Sequence, residues 1–322
     1  MRTALLTLLA LAACTGAEET QKYSTPIDPT VTRPDGTDAD TDADSDTDAD
    51  TDTDTDTDTD TDTDTDTDTT ASLYEQLGGE AAIHAVVGQF VANVGADDTI
   101  NWMFANSDLV NLQTKLEEQI CAATGGGCTY TGGDMASVHA TMAITDAQWG
   151  ALVGDLLAAL DTLGVEYTAD FSGGLPADQL ILALAGMYGD IVTDPDGSTV
   201  LFNQLGGHAA VEAVIAGLLT NVGADDRINY FFAKSDLTRL GNLLVEQVCE
   251  ATGGYCRYSG LSMYDAHDGM NITEDQFNYL VEDLLAALDT LGVPYTADFS
   301  GGLPADTLIL ALAGMKADII NH

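Results

Sequence analysis

The stretch Asp155–Val165, reading DLLAALDTLGV, returns unchanged as Asp283–Val293. Working outward at the same offset of 128 residues, Leu73-Tyr74-Glu75-Gln76-Leu77-Gly78-Gly79 returns as Leu201-Phe202-Asn203-Gln204-Leu205-Gly206-Gly207. A repeat of this period predicts two tandem domains, 71–193 and 199–322, each long enough to bury its own core. Between them Thr193-Asp194-Pro195-Asp196-Gly197-Ser198 has turn composition and marks the boundary.

Within each unit the apolar residues recur every three to four positions. In the first, Ala82, Val86, Phe90 and Val94 form one such face, Leu152, Leu156, Leu160 and Leu163 a second, and Leu180, Leu184 and Met187 a third. With Gly-Gly pairs and turns between these segments and no alternating strand pattern, each unit is expected to be all-α.

The rest of the chain is of another kind. Of 322 residues, 53 are acidic and 9 basic, a net charge of −44, which argues against nucleic acid as a partner. Asp occupies every even position from Asp38 to Asp68, and the stretch 14–70 has too few apolar residues to form a core. It is expected to be a disordered acidic Thr-Asp linker, extended by self-repulsion and reaching at most about 180 Å. An array of calcium sites is the other reading of alternating carboxylates, but the Asp38–Asp68 run offers no glycine to set a calcium loop.

Arg2, the apolar run Ala4–Ala12 and Leu11-Ala12-Ala13-Cys14 resemble a bacterial lipoprotein signal over residues 1–13, with Cys14 as the lipidated residue. The resemblance implies export and a lipid anchor at the outer membrane or cell surface. No stretch approaches the ~20 apolar residues of a membrane span.

Each unit then carries five features in fixed order: a Gly-Gly pair, Ile-Asn-x-x-Phe, a second Gly-Gly pair, Tyr-x-Gly and Met-x-x-x-His. In unit one these are Gly78-Gly79, Ile100-Asn101 with Phe104, Gly125-Gly126, Tyr130 with Gly132, and Met135 with His139. In unit two they are Gly206-Gly207, Ile228-Asn229 with Phe232, Gly253-Gly254, Tyr258 with Gly260, and Met263 with His267. In this ordered set the chain resembles the group I truncated hemoglobins, the two-over-two globin type, almost end to end through both units.

The resemblance implies one heme b per domain. His139 and His267 fall on the proximal iron ligand, and Met135 and Met263, one helical turn earlier, face the macrocycle. Phe104 and Phe232 match an aromatic that packs on heme, and Tyr130 and Tyr258 a tyrosine near a propionate. Lys115 falls on a basic propionate partner; its counterpart is Leu243, and Arg239 one turn earlier is the substitute. His84, His208 and His322 match no site position.

The departure from the family is distal. Val91 and Leu219 stand where a tyrosine usually hydrogen-bonds the gas ligand, and the other pocket positions are Leu112, Leu116, Leu240 and Leu244. None of these side chains donates a hydrogen bond. Faster oxygen release than from a tyrosine-bearing relative is expected, with carbon monoxide less affected. A peroxidase reading lacks a distal acid or base.

The cysteines other than Cys14 form two C-x6-C pairs, Cys121 with Cys128 and Cys249 with Cys256, read in an exported protein as disulfides. A zinc site with the following histidine lacks a fourth ligand, and covalent heme lacks the C-x-x-C-H motif. The expected function is reversible binding of oxygen, nitric oxide or carbon monoxide at the cell envelope. The alternative is a heme-free globin scaffold with a structural or interaction role; a weaker third reading is a nitric oxide dioxygenase served by an external reductase.

Overall fold

Capping chemistry sets the helix starts in residues 71–320, the part of the chain that the computed structural model describes. The readings made for residues 1–13, Cys14, the linker to residue 70 and His322 lie outside it. The Ser72 hydroxyl begins α1 (Leu73–Gln76) by accepting from the Glu75 N–H while the Glu75 carboxylate accepts from the Ser72 N–H. α2 (Gly79–Ala96) enters through Gly78 at φ 94° and leads to a 3₁₀ turn at Asn101–Phe104. Asp108 caps α3 (Leu109–Ala123) and Asp134 caps α4 (Met135–His139). A Thr145–Gln148 capping box opens α5 (Asp146–Leu163), and α6 (Pro176–Ala185) and α7 (Tyr188–Ile191) follow.

The second repeat runs through the same order. It comprises α8 (Leu201–Gln204), α9 (Gly207–Ala224), a 3₁₀ turn at Asn229–Phe231, α10 (Leu237–Ala251), α11 (Met263–His267), α12 (Glu274–Leu291), α13 (Pro304–Gly314) and α14 (Lys316–Ile319). The described residues contain no strand, only an isolated bridge between Ile272 and Ile320. The fold is all-α.

In repeat one α2 lies against both α3 and α5, and in repeat two α9 lies against α10 and α12. Leu180 from α6 closes the first core on Ile83, Val87 and Ile120, which gives two pairs of helices packed face to face. Because α2 is wedged between two partners, its buried arc is turned from the expected face: Ile83 and Val87 join Val94 in the interior, while Ala82, Val86 and Phe90 are half-buried. Leu163 departs from its face altogether, 43% exposed in the last turn before Gly164 stops α5. By length and composition α9 qualifies as a span, a correction to the reading that no stretch approaches one. Its Val211, Ile215, Leu218 and Val222 are buried in the second core instead.

The turn between the repeats is a tied corner. Asp194 is fully buried and accepts from the Thr199 N–H at 2.9 Å and Asn203 Nδ2 at 2.7 Å. Asn203 Nδ2 also donates to the Ala143 carbonyl of repeat one at 2.8 Å. Trp102 of repeat one meets the Phe202 ring edge-on at 5.5 Å and stacks on His208 at 5.0 Å.

Candidate cofactor-binding site

The two histidine helices are five residues long, and each ends on its histidine. His139 Nδ1 lies 2.8 Å from the Met135 carbonyl oxygen, and His267 Nδ1 lies 2.7 Å from that of Met263. A carbonyl only accepts, so Nδ1 carries the proton in both rings, and in the neutral imidazole the Nε2 lone pair is left for a ligand. A carbonyl acceptor behind Nδ1 is the arrangement that orients a metal-ligating histidine.

A disulfide places each of these helices. Cys121, near the end of α3, pairs with Cys128 in the loop that leads to α4, with Cα atoms 5.7 Å apart; Cys249 and Cys256 do the same at 5.8 Å. A Cβ on Gly126 would lie 2.6 Å from Cys121 Sγ and 2.7 Å from the Tyr74 ring, so the second Gly-Gly motif is a requirement for space. The Tyr-x-Gly motif is a local lock. The Tyr130 ring folds over Gly132, where a Cβ would meet its hydroxyl at 2.2 Å, and that hydroxyl donates to the Gly133 carbonyl at 3.0 Å. Tyr258 donates likewise to the Leu261 carbonyl at 2.9 Å.

His139 borders a cavity in repeat one that also takes in Phe104, Met135, Val91, Leu112 and Leu116. Five of the sequence-predicted side chains thus meet around one histidine. No acidic residue, lysine or arginine lines it; the polar side chains on its wall are His139 and Gln119, beside the indole of Trp149. Sequence reasoning passed over Gln119. Its Nε2 donates to Met135 Sδ at 3.5 Å and Met187 Sδ at 3.2 Å, and Gln247 repeats the pattern with Met263 at 3.1 Å and Met315 at 3.4 Å. The available signal was its recurrence at the 128-residue offset, three residues beyond Leu116 and Leu244.

In repeat two Leu219, Phe232 and Leu244 pack against the main core, and Leu240 is half-buried. Met263 packs with Ile272, Phe277 and Ile319. Tyr130 and Lys115, expected beside a propionate, stand apart from the cavity lining. Tyr130 is held in its turn, and Lys115 donates to both Glu118 carboxylate oxygens at 3.1 and 3.0 Å and to the Thr131 hydroxyl. Hydrogen bonds from Thr131, then from Lys115, hold the Glu118 carboxyl at about 2. Arg239 is exposed on the first turn of α10. His84 contacts Glu117 at 2.8 Å, away from the cavity, and His208 belongs to the contact between repeats.

An apolar, uncharged cavity with one imidazole whose Nε2 is unclaimed suits a planar apolar macrocycle with a single axial nitrogen donor, which is what heme requires. Among the described residues no cluster of three or more His, Cys, Asp or Glu forms a rival metal site.

Comparison with known proteins bears on the same residues. The family profile described as bacterial-like globin matches twice, at residues 72–170 and 200–298. Group 1 truncated hemoglobin GlbN of Mycolicibacterium paratuberculosis is 37% identical over 95 residues, 30% of this chain and 70% of that protein. The group 1 truncated hemoglobin of Tetrahymena thermophila is 33% identical over 93 residues, 29% of this chain and 77% of that one. Among solved structures, the Fe(III) form of truncated hemoglobin from Tetrahymena pyriformis covers 38% of this chain and 100% of its own, at 25% identity and a TM-score of 0.35. The chain belongs to the bacterial-like globins, as two group 1 truncated hemoglobin repeats in tandem.

Proposed function

We propose that each repeat holds one heme b through Nε2 of His139 or His267 and that the chain reversibly binds a diatomic gas at the cell envelope. The observation that carries this is the Nδ1–H to methionine carbonyl bond, repeated in both histidine helices at 2.8 and 2.7 Å. Heme, when bound, supplies the iron that takes oxygen, nitric oxide or carbon monoxide. The chain's own residues hold and shield it. Met135 and Phe104 in repeat one, and Met263 and Phe232 in repeat two, would give apolar contact to the macrocycle. Tyr130, Tyr258, Lys115 and Arg239 would serve its carboxylate edge, where Lys115 would be shared with Glu118.

Val91, Leu112 and Leu116, with Leu219, Leu240 and Leu244, exclude water from the gas side and donate no hydrogen bond to it. A binding and release role follows rather than turnover, and dioxygenase activity needs an external reductase. Lipidation of Cys14 and the acidic linker to residue 70 would hold the globin repeats off the outer membrane or cell surface.

The test is a carbon monoxide difference spectrum of the dithionite-reduced, heme-reconstituted chain, followed by oxygen release in a stopped-flow displacement by carbon monoxide. A Soret shift and fast oxygen release are expected. No saturable Soret band leaves the heme-free scaffold as the correct reading, and slow, hydrogen-bond-like oxygen release contradicts the distal assignment.

A further inference from the structure

The flank of α5 that walls the cavity differs in chemistry between the two repeats. In repeat one Gly150 and Gly154 line the cavity and are half-buried, and a Cβ built on either would meet nothing within 4 Å. Ala151 stands between them. At the 128-residue offset repeat two has Asn278, Tyr279 and Glu282, and it has Arg227 where repeat one has Thr99.

Arg227 touches two of the others. Tyr279 packs against the second core, and the Arg227 guanidinium lies 4.0 Å from the centre of its ring. Arg227 also bonds Glu282 at 2.8 Å, and Asp225 grips its Nε at 2.9 and 3.0 Å. Two glycines of the cavity lining are thus replaced by Asn278 and Glu282, and the alanine between them by a ring that Arg227 covers.

We infer that the repeats admit small apolar molecules unequally: repeat one through its glycine wall, repeat two only past a latch of Arg227, Tyr279 and Glu282. The gas that this latch regulates is the one assigned under the heme reading, on which that part of the inference rests. Arg227 and Glu282 are 44% and 58% exposed, so their pair is the weak surface kind, which opens readily and slows entry without sealing it.

The first arm of the test needs no heme. Trp149 is buried and lines the repeat-one cavity, and Trp102 is the chain's only other tryptophan. In the heme-free full chain carrying Trp102→Phe, quenching of Trp149 fluorescence by dissolved oxygen reports access to that cavity. Moving the latch into repeat one as Thr99→Arg, Ala151→Tyr and Gly154→Glu is expected to lower the quenching constant by about threefold. Thr99→Arg with Gly154→Glu alone, which adds no buried ring, is expected to give a smaller decrease, and circular dichroism checks the fold of each variant.

The second arm uses the heme-loaded chain. Carbon monoxide recombination after photolysis is expected in two phases of equal amplitude, and Arg227→Thr speeds only the slower one, by roughly threefold to fivefold. Unchanged quenching in both folded transplants, or a slow phase indifferent to Arg227→Thr, overturns the inference. Absence of a Soret band ends the heme reading but leaves the first arm to decide access.

Discussion

Repeat one and repeat two share their histidine helix, their disulfide and an identical eleven-residue segment that runs from the long helix that follows past its glycine stop, yet they surround these parts differently. The apolar residues of repeat one fall into three separate clusters around its cavity. In repeat two the counterparts of two of these clusters merge into one core that also takes in Tyr279, while the third, Ile272, Phe277 and Ile319, stays separate. The α5 and α12 walls differ in side-chain chemistry, while the methionine and histidine of the short helix have been kept. Two copies of one blueprint thus present the same histidine helix in different surroundings.

The largest expected difference lies at the first helix of each repeat. Phe202 is 1% exposed and bears the edge-on contact with Trp102, whereas its counterpart Tyr74 is half-buried. Phe202→Ala is expected to cost about 3 to 5 kcal/mol and Tyr74→Ala about half as much, read from urea unfolding monitored by circular dichroism. Equal costs would contradict the picture of a second core that extends into the contact between repeats.

The disulfides should behave alike. Closing so short a loop contributes on the order of 2.5 kcal/mol in the chain-entropy model, so Cys128→Ser and Cys256→Ser are expected to destabilise to the same extent. A marked inequality, measured in the same unfolding experiment, would show that one of the two loops is held by other contacts.

Next comes a buried carboxyl with opposite neighbours in the two copies. Burial, then the charge of Asp97, pushes the Asp155 carboxyl up to about 6 from the ordinary 3.8. A carboxyl raised in the folded state disfavours folding when ionised. Stability therefore falls as pH rises from 3.8 through 6 and is regained on acidification. Asp155→Asn is expected to stabilise by about 1 kcal/mol at pH 7.5, after discounting for solvent screening, with no gain below pH 4. Burial, then Asp225, also raises Asp283, but Arg227 pulls it back, so Asp283→Asn should gain less. The smallest effect is that of Arg227→Thr on stability, below about 1 kcal/mol and fading with salt, even though its kinetic effect is several-fold.

Much of this was legible in the chain before any coordinates. The helical period, the 128-residue repeat and the Met-x-x-x-His motif announce two helical units with a histidine in each, because helix faces and caps depend on near neighbours in sequence. Other features depend on how helices dock. The exposure of Leu163, the turn of the α2 face toward Ile83 and Val87, and the convergence of Gln119 on two methionine sulfurs arise only once α2 sits between α3 and α5. His208 matches no position in the repeat because it serves the contact with Trp102. Arg227 looks like one more surface charge until Tyr279 and Glu282, more than fifty residues away, are placed beneath and beside it.

The most direct measurement is a heme titration of the full chain followed by the Soret band, with His139→Ala, His267→Ala and the double variant in parallel. Saturation at two hemes per chain, halved in each single variant and lost in the double, is the predicted result. A double variant that still saturates at two, or a wild-type chain with no saturable band, would contradict axial ligation by these two histidines.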